Sequence, residues 1–463
     1  MACELLYSLL LTHRFRWVVC QLDTLRTCLK RSAVLTALNK LPKTLDETYS
    51  RILFGISEDY RPDAQIVFSL LLFSRRPISL AEAAEAVAID LDQKCFDPRN
   101  RLRDPFSILK ICSSLVTLSP AVARGEIDAR NDELRFAHYS VQEYLLSQRV
   151  SLPAFQFQED LAHNLIARLC LIYILSFRKV PDLTFEFPFL RYARENWHLH
   201  VRGKKFELAT FELTKMLFDE ANDENLRIAV ANLEAGVVMP RLYYGSRFGL
   251  LELCRWLLDR GADVNGQGPD GSILQSTVET GHAEIVKLLL DRGADVNAPG
   301  GEDGNALHAA IECHHYEVVR VLLDGGADIN AQGFDSASAL LAAVKCGNKE
   351  IVILLLERGA DIDAEGDYYG TALQAAVVWG YDEIMRLLLD RGADVNAQGG
   401  YYGNALQAAV EFGDEKIVRL LLDRGADPNA LDSEVVRFAA RQAALQDGDD
   451  KILRLLLSRG GQM

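Results

Sequence analysis

The sequence predicts a mostly α-helical protein whose C-terminal half is an α-solenoid of repeats and whose N-terminal half is not repetitive. The tripeptide Gly-Ala-Asp occurs six times in the second half, each time after a leucine-rich segment with helical spacing. The copies are 32 or 33 residues apart, and residues 1–235 show no such period. A repeat of this length buries its apolar face against its neighbours in a stack. The six glycines are Gly261, Gly293, Gly326, Gly359, Gly392 and Gly425.

Each repeat unit predicts two helices followed by a turn. In residues 369–394 the first helix carries small side chains at Ala375 and Ala376, and the second carries leucines at helical spacing. Gly392 follows the second helix, where a left-handed residue commonly ends a helix. A period near 33 with two apolar helices per unit is typical of the ankyrin repeat. The residues that begin the five first helices can all act as N-caps: Ser272, Asn305, Ser338, Thr371 and Asn404.

The register gives five full ankyrin repeats and a degenerate repeat at each end. Ankyrin repeats usually have Thr-Pro-Leu-His at the start of the first helix. Here the proline is missing from all five copies and the histidine remains only at His308, which resembles the subtype common in fungal ankyrin proteins. The predicted repeat domain is 236–463, with full repeats at 269–300, 301–333, 334–366, 367–399 and 400–432 and end repeats at 239–268 and 433–463.

The N-terminal half predicts a winged-helix-like domain over residues 38–150 and a helical linker region over 151–235. Three or four helices come first, and two of them begin with capping boxes, Thr44 with Glu47 and Ser79 with Glu82. The pattern then changes to two strands, 115–119 and 134–138, separated by a polar loop, before residues 139–147 return to helix. Helices followed by a two-stranded wing form a winged-helix arrangement.

Two motifs of this half resemble a known family. Residues 41–49 (Leu-Pro-Lys-Thr-Leu-Asp-Glu-Thr-Tyr) and 136–147 (Phe-Ala-His-Tyr-Ser-Val-Gln-Glu-Tyr-Leu-Leu-Ser) resemble the winged-helix region of fungal NACHT–ankyrin proteins, which are NLR-like signalling NTPases. Residues 15–26 resemble the last piece of their nucleotide-binding module, so residues 1–37 are interpreted as a remnant of that module. The resemblance implies fungal non-self recognition or incompatibility signalling, with the repeats as the sensor.

The chain departs from this family at the phosphate-binding loop G-x-x-x-x-G-K-[ST]. Its one Gly-Lys pair, Gly203-Lys204, lacks both the upstream glycine and the following Ser or Thr. No nucleotide cofactor and no enzymatic activity are therefore predicted; either the protein is a naturally short relative, or the sequence begins inside a NACHT domain. In the family, the histidine at the position of His138 reaches the nucleotide phosphates. Without that loop we expect a structural His138, hydrogen-bonded at the strand–helix junction.

Composition favours a cytoplasmic protein with protein partners. The nine cysteines include no Cys-x-x-Cys pair, which indicates free thiols in a reducing compartment and no zinc site. Residues 1–235 hold 30 Lys/Arg and 30 Asp/Glu, whereas residues 236–463 hold 20 and 35, so the net charge of −15 lies in the repeats. An acidic stack repels phosphates and favours basic or apolar protein partners, although repeated Asp can also serve solubility alone. No apolar stretch is long enough for a membrane span, and the oligomeric state is left open.

The candidate partner-binding residues lie at hairpin tips and at the ends of first helices, where ligands usually meet ankyrin repeats on the concave face. Aromatic residues concentrate there in repeats four and five, and large exposed aromatics often anchor interfaces. For the tyrosine pairs, bracing of adjacent hairpins is an equal alternative; for Trp379 and Phe412 we favour binding. The candidates are Cys313, Cys346, Trp379 and Phe412 at helix ends and Tyr368, Tyr369, Tyr401 and Tyr402 at the tips.

The predicted function is a non-enzymatic protein-interaction scaffold or sensor. One alternative is the C-terminal fragment of a NACHT NTPase. Another is a winged-helix DNA-binding protein, suggested by Arg99, Arg101 and Arg103, but residues 38–150 hold 15 basic and 16 acidic residues, without the basic excess usual in nucleic-acid binders. Adjacent histidines at 314 and 315 are not expected to share a metal.

Overall fold

A computed structural model describes residues 44–120, 132–177, 186–202, 207–230, 239–268, 271–300, 304–333, 337–366, 368–431 and 451–460. It divides into two compact units, Met1–Val238 and Met239–Met463. The predicted remnant over 1–37 and most of the last degenerate repeat lie outside the described residues. Among the helices that are described, none has the length and hydropathy that crossing a membrane requires.

The first unit consists of helices around a small antiparallel sheet. Its described α-helices are Leu45–Phe54, Arg61–Phe73, Leu80–Ala86, Ser107–Ile111, Tyr139–Leu145, Glu159–Leu175, Pro188–Val201, Leu208–Leu217 and Asp223–Val230. Short 3-10 turns occupy Glu58–Tyr60, Pro98–Asn100, Ser113–Leu115, Pro153–Phe155 and Glu220–Asn222. The strands are Ile78–Ser79, Ile89–Asp90, Cys95–Phe96, Val116–Ser119 and Glu133–Phe136.

The predicted N-caps begin two of these helices. The Thr44 hydroxyl accepts a hydrogen bond from the Glu47 amide. At Ser79 both bonds of the capping box are present, because the Glu82 carboxylate also accepts from the Ser79 amide. Such side chains satisfy backbone donors that the first turn of a helix leaves unpaired.

The wing has three strands rather than the predicted two. Val116–Ser119 pairs with Glu133–Phe136 in antiparallel register, and Ile78–Ser79 pairs with the other edge of Glu133–Phe136. Leu134 lies in the central strand and is buried. A two-residue strand is too short to show alternation in the sequence, so the two-stranded wing was an incomplete prediction, whereas the winged-helix class is confirmed.

The second unit is the repeat stack. Its first helices are Arg241–Arg247, Ile273–Glu279, Ala306–Glu312, Ala339–Lys345, Ala372–Val378 and Ala405–Phe412. Its second helices are Leu251–Asp259, Ala283–Asp291, Tyr316–Asp324, Lys349–Glu357, Asp382–Asp390 and Glu415–Asp423, and Lys451–Ser458 follows them. A two-residue ladder, Gln267–Gly268 with Gly271–Ser272, marks one hairpin. The predicted ankyrin solenoid is confirmed.

Polar side chains repeat through the stack and join neighbouring repeats. All five predicted N-caps, from Ser272 to Asn404, accept a backbone hydrogen bond in the first turn of their helix. The residue two places after each of the first five Gly-Ala-Asp copies accepts from the Asp amide of the next copy, as Asn297 does from Asp328 at 2.9 Å. Arginines at the second-helix ends pair with an Asp of the preceding repeat, as Arg358 does with Asp324 at 2.8 Å. The buried leucines of the repeat helices form the core of the stack, and these polar contacts join each repeat to the next.

Candidate protein-binding surface

Six aromatic rings of repeats four and five form one continuous series, which we call the aromatic row. Each ring lies within 6.0 Å of the next, centroid to centroid, in the order Trp379, Tyr369, Tyr368, Tyr401, Tyr402, Phe412. In each repeat, a hairpin tyrosine contacts the aromatic residue at the end of the first helix. Tyr368 and Tyr401 join the two repeats in a stacked pair, 5.6 Å apart and 13° from parallel.

Four members of the aromatic row are exposed. The exposed fractions are 54% for Tyr368, 47% for Trp379, 68% for Tyr401 and 54% for Phe412, while Tyr369 and Tyr402 are half-buried beneath them. Single exposed aromatic side chains are ordinary on a protein surface, whereas an exposed apolar cluster such as this one is typical of an interaction site. The row therefore offers contact area to a ligand.

The hairpins that carry the tyrosines approach each other closely. The Tyr401 amide donates to the Tyr368 carbonyl at 2.8 Å. Gly400, with φ +63°, lies so near that a Cβ there would be 2.4 Å from the Gly370 nitrogen. Bracing and exposure thus occur together: Tyr368 and Tyr401 join adjacent tips and still present open ring faces.

The candidate cysteines occupy the matching helix-end positions of repeats two and three. Cys313 and Cys346 are half-buried thiols. Burial, followed by the charge of Glu312, raises the pKa of Cys346, so its thiol stays protonated at neutral pH. Beside them, the Lys345 ammonium lies 6.0 Å over the Tyr369 ring, at the Trp379 end of the aromatic row. Sequence reasoning missed this lysine, because nothing in the repeat pattern distinguishes it from a solvent-exposed side chain.

His138 lies at the strand–helix junction. Its Nδ1 accepts from the Ser140 amide at 3.2 Å and caps the helix Tyr139–Leu145. The Ser140 hydroxyl is also within hydrogen-bonding distance of that nitrogen (2.7 Å) and of the Tyr49 hydroxyl (2.7 Å). These bonds give His138 a local role in fixing the helix start.

Two arginines of the basic cluster are paired with carboxylates. Arg99 binds Asp97. Arg101 makes two bonds of 2.7 Å to the buried carboxylate of Glu85, and its guanidinium lies over the rings of Phe96 and Phe187. Arg101 is itself partly exposed, but its charge is already paired with the buried Glu85 carboxylate.

The buried His200 and the partly buried His163 form a polar cluster in the first unit. His163 and His200 share a hydrogen bond between their Nδ1 atoms at 2.8 Å, and His200 Nε2 lies 2.8 Å from the Tyr192 hydroxyl. The Arg75 amide donates to that hydroxyl at 3.3 Å. Burial, followed by His163 and Arg75, lowers the pKa of His200 to about 3. Burial also lowers the pKa of His163, and both rings are neutral at pH 7.

The adjacent histidines of repeat two lie between its helices rather than on one. His314 takes the left-handed conformation, φ +58°, where the corresponding repeats have glycine. The His315 Nε2 lies 3.1 Å from the Glu279 carbonyl of the preceding repeat. Within the described part of the chain, no group of three or more His, Cys, Asp or Glu residues is arranged to hold a metal ion.

Models of known families match both halves. The ankyrin-repeat models cover residues 242–333, 332–399 and 404–433. The model of the winged helix domain of GPI inositol-deacylase covers residues 52–157. The chain therefore combines a winged-helix domain with ankyrin repeats, and ankyrin repeats indicate a protein–protein interaction scaffold, a fold that is typically non-enzymatic.

The chain is similar to one curated protein and to solved ankyrin domains. It is 35% identical over 282 residues to the azaphilone pigments biosynthesis cluster protein L of Monascus ruber, a match that covers 53% of this chain and 58% of that protein. The chain thus spans less than two thirds of its relative. The ankyrin domain of human ASB11 aligns at 27% identity with a TM-score of 0.40, covering 48% of this chain and 98% of that one. That of Bcl-3 aligns at 30% identity with a TM-score of 0.40, covering 44% and 100%.

Proposed function

We propose that this protein is a non-enzymatic scaffold or sensor that captures a protein partner on the aromatic row. The observation that carries the proposal is the continuity of six rings across two repeats, four of them exposed. Rigid aromatic side chains contribute large contact areas at low entropic cost and are the residues that most often dominate binding energy. Cys313 and Cys346 extend the same surface towards repeat two.

In this proposal the N-terminal half relays or restrains the response to partner binding, as in fungal NLR-like signalling. The order of a winged-helix domain followed by ankyrin repeats, together with a fungal relative, supports this context. The six described cysteines are free thiols, which suits a reducing, cytoplasmic setting.

The double substitution Trp379→Ala/Phe412→Ala is expected to abolish partner capture while leaving folding nearly intact. Both side chains are about half exposed, so their loss removes binding area and costs less than about 1 kcal/mol of unfolding free energy. The full chain would be immobilised, exposed to an extract of the organism that makes it, and the bound proteins quantified by mass spectrometry.

The matched control is Tyr316→Ala, which removes an exposed aromatic from the start of a second helix. Proteins captured by the native chain and by this control, but lost from the double variant, would support the proposal. Capture that is unchanged in the double variant would overturn it, and unfolding of that variant would identify the two residues as core.

A further inference from the structure

Summed over the five full repeats, negative charge is unevenly divided between the hairpin and first-helix segments and the second-helix segments. In the five segments that run from just after Gly-Ala-Asp to the end of the first helix, the sequence holds ten Asp or Glu, one Lys and no Arg. The five second-helix segments, from 281–292 to 413–424, hold twelve acidic and ten basic residues and are nearly balanced. Solubility alone would not require this segregation. Summed over the five repeats, the hairpins and first helices, which carry the aromatic row, are therefore the acidic part of the stack, although segment 329–345, with Asp335 and Lys345, is balanced.

Described carboxylates lie next to the aromatic row. The Glu365 carboxyl group is beside Gly399, two residues before Tyr401. Glu411 precedes Phe412, and its charge acts on Tyr402, whose pKa is raised by burial, then by Tyr368 and Glu411. Neither Glu365 nor Glu411 forms an ion pair with another described residue, whereas second-helix carboxylates such as Asp324 and Asp390 do.

The chain itself supplies an example of the contact that such a surface favours. The Lys345 ammonium, the one basic group of those five segments, lies over the ring of Tyr369. Aromatic faces carry partial negative charge and attract cations, and a neighbouring carboxylate strengthens the attraction. The open faces of Tyr368, Trp379, Tyr401 and Phe412 have the same chemistry, and no cation of the described residues lies over them.

We propose that the aromatic row binds an extended, arginine-bearing segment of a protein partner, with guanidinium groups against its exposed rings and near Glu365 and Glu411. This inference rests on the proposed function and names the chemistry of its ligand. Arginine fits better than lysine, because its planar, weakly hydrated guanidinium stacks on rings while donating to carboxylates. A nucleic acid fits less well, because its phosphates would meet an excess of carboxylates, with Lys345 as the one basic group of these five segments.

The test is fluorescence anisotropy of the full chain with a labelled peptide of alternating arginine and glycine. Companion peptides carry lysine, or neutral leucine, in place of arginine. The arginine peptide is expected to bind most tightly, the lysine peptide several-fold more weakly and the leucine peptide least, and high salt should weaken binding of the two basic peptides. Trp379→Ala/Phe412→Ala is expected to weaken the arginine peptide by about ten-fold, at roughly two- to five-fold per exposed ring.

Charge variants distinguish recognition of a basic ligand by rings and carboxylates together from recognition by the aromatic rings alone. Glu365→Gln/Glu411→Gln should weaken the arginine peptide several-fold and reduce its salt dependence, while Glu357→Gln, an exposed carboxylate on a second helix, should change neither. Lys345→Gln should strengthen binding, because it vacates the ring of Tyr369. A merely structural role for these residues would not produce a gain.

Each other outcome overturns the inference. If the leucine peptide bound most tightly and Trp379→Ala/Phe412→Ala weakened its binding, the proposed function would stand and a basic ligand would be excluded. If neither the aromatic variant nor the Glu365/Glu411 variant changed the affinity for the arginine peptide, that peptide would bind at a site other than the aromatic row. Association of the chain with itself through the aromatic row, seen as a dimer that Trp379→Ala/Phe412→Ala dissolves, would identify a second copy as the occupant. The chain could also bind none of the peptides while its capture of a protein from the extract still depends on Trp379 and Phe412. That result would exclude a basic segment as the ligand and leave the proposed function standing.

Discussion

Gly400→Ala is expected to separate the hairpins of repeats four and five and to abolish partner capture. An added Cβ would lie 2.4 Å from the Gly370 nitrogen, 2.7 Å from the Tyr369 carbonyl carbon and 2.8 Å from the Tyr368 oxygen, all of them backbone atoms that cannot turn aside. The bond from the Tyr401 amide to the Tyr368 carbonyl would then break. With the cost of a left-handed alanine, we expect a loss of about 2–3 kcal/mol from these repeats.

The appropriate control is Gly392→Ala. Gly392 also has a positive φ, +91°, but an added Cβ would meet nothing within 4 Å. It therefore shares the backbone strain without the collision. Amide hydrogen exchange at Tyr401 should accelerate in the Gly400 variant alone, and partner capture should fail there alone. Equal behaviour of the two variants would mean that the close hairpin approach does not organise the aromatic row.

Mild acid is expected to destabilise the first unit through its buried histidines. The folded pKa of His200 is lowered to about 3, whereas an unfolded histidine titrates near pH 6.5. Below about pH 6.5 His200 is protonated in the unfolded chain but stays neutral in the folded chain. The free energy of unfolding therefore falls as the pH falls, and it is independent of this group above about pH 7. His200 alone should remove about 2–3 kcal/mol between pH 6.5 and 4.5.

The measurement is the urea midpoint at which the buried Cys170 thiol becomes reactive, followed with a disulfide reagent that labels thiols in mild acid. Cys170 lies within the helix Glu159–Leu175, which also carries His163, so its exposure reports on this part of the first unit. His200→Gln should lower the midpoint at neutral pH, because it disturbs the bonds to His163 and Tyr192, and should flatten its decline towards acid. A decline just as steep in the variant would assign the pH dependence to other groups.

The repeat half could be read from the sequence because its constraints are local and repeated. Gly392 and its equivalents adopt positive φ, and every predicted N-cap from Ser272 to Asn404 forms its bond. Each feature depends only on residues within one turn of a helix, so the printed sequence contains all the information. Two helices of the winged-helix domain, Leu45–Phe54 and Leu80–Ala86, were predicted from their capping residues in the same way.

What the sequence could not show depends on distant pairings. Nothing in the spacing indicates that Tyr368 stacks on Tyr401, 33 residues away, or that Lys345 lies over Tyr369. Arg101 looked like part of a basic cluster, but its partner Glu85 is 16 residues distant and buried. The aromatic residues themselves were predictable, whereas their arrangement into a row needed the packing of one repeat on the next.

Site-specific photocrosslinking tests most directly whether the aromatic row holds the partner. Tyr401 would be replaced by benzoylphenylalanine in the full chain, with the same replacement at Tyr316 as the control, since both side chains are exposed aromatics. Illumination in the extract should join one discrete protein to the chain labelled at 401, and Trp379→Ala in the same chain should reduce that product. Equal products from both positions, or a product from position 316 alone, would contradict a partner-binding surface at repeats four and five.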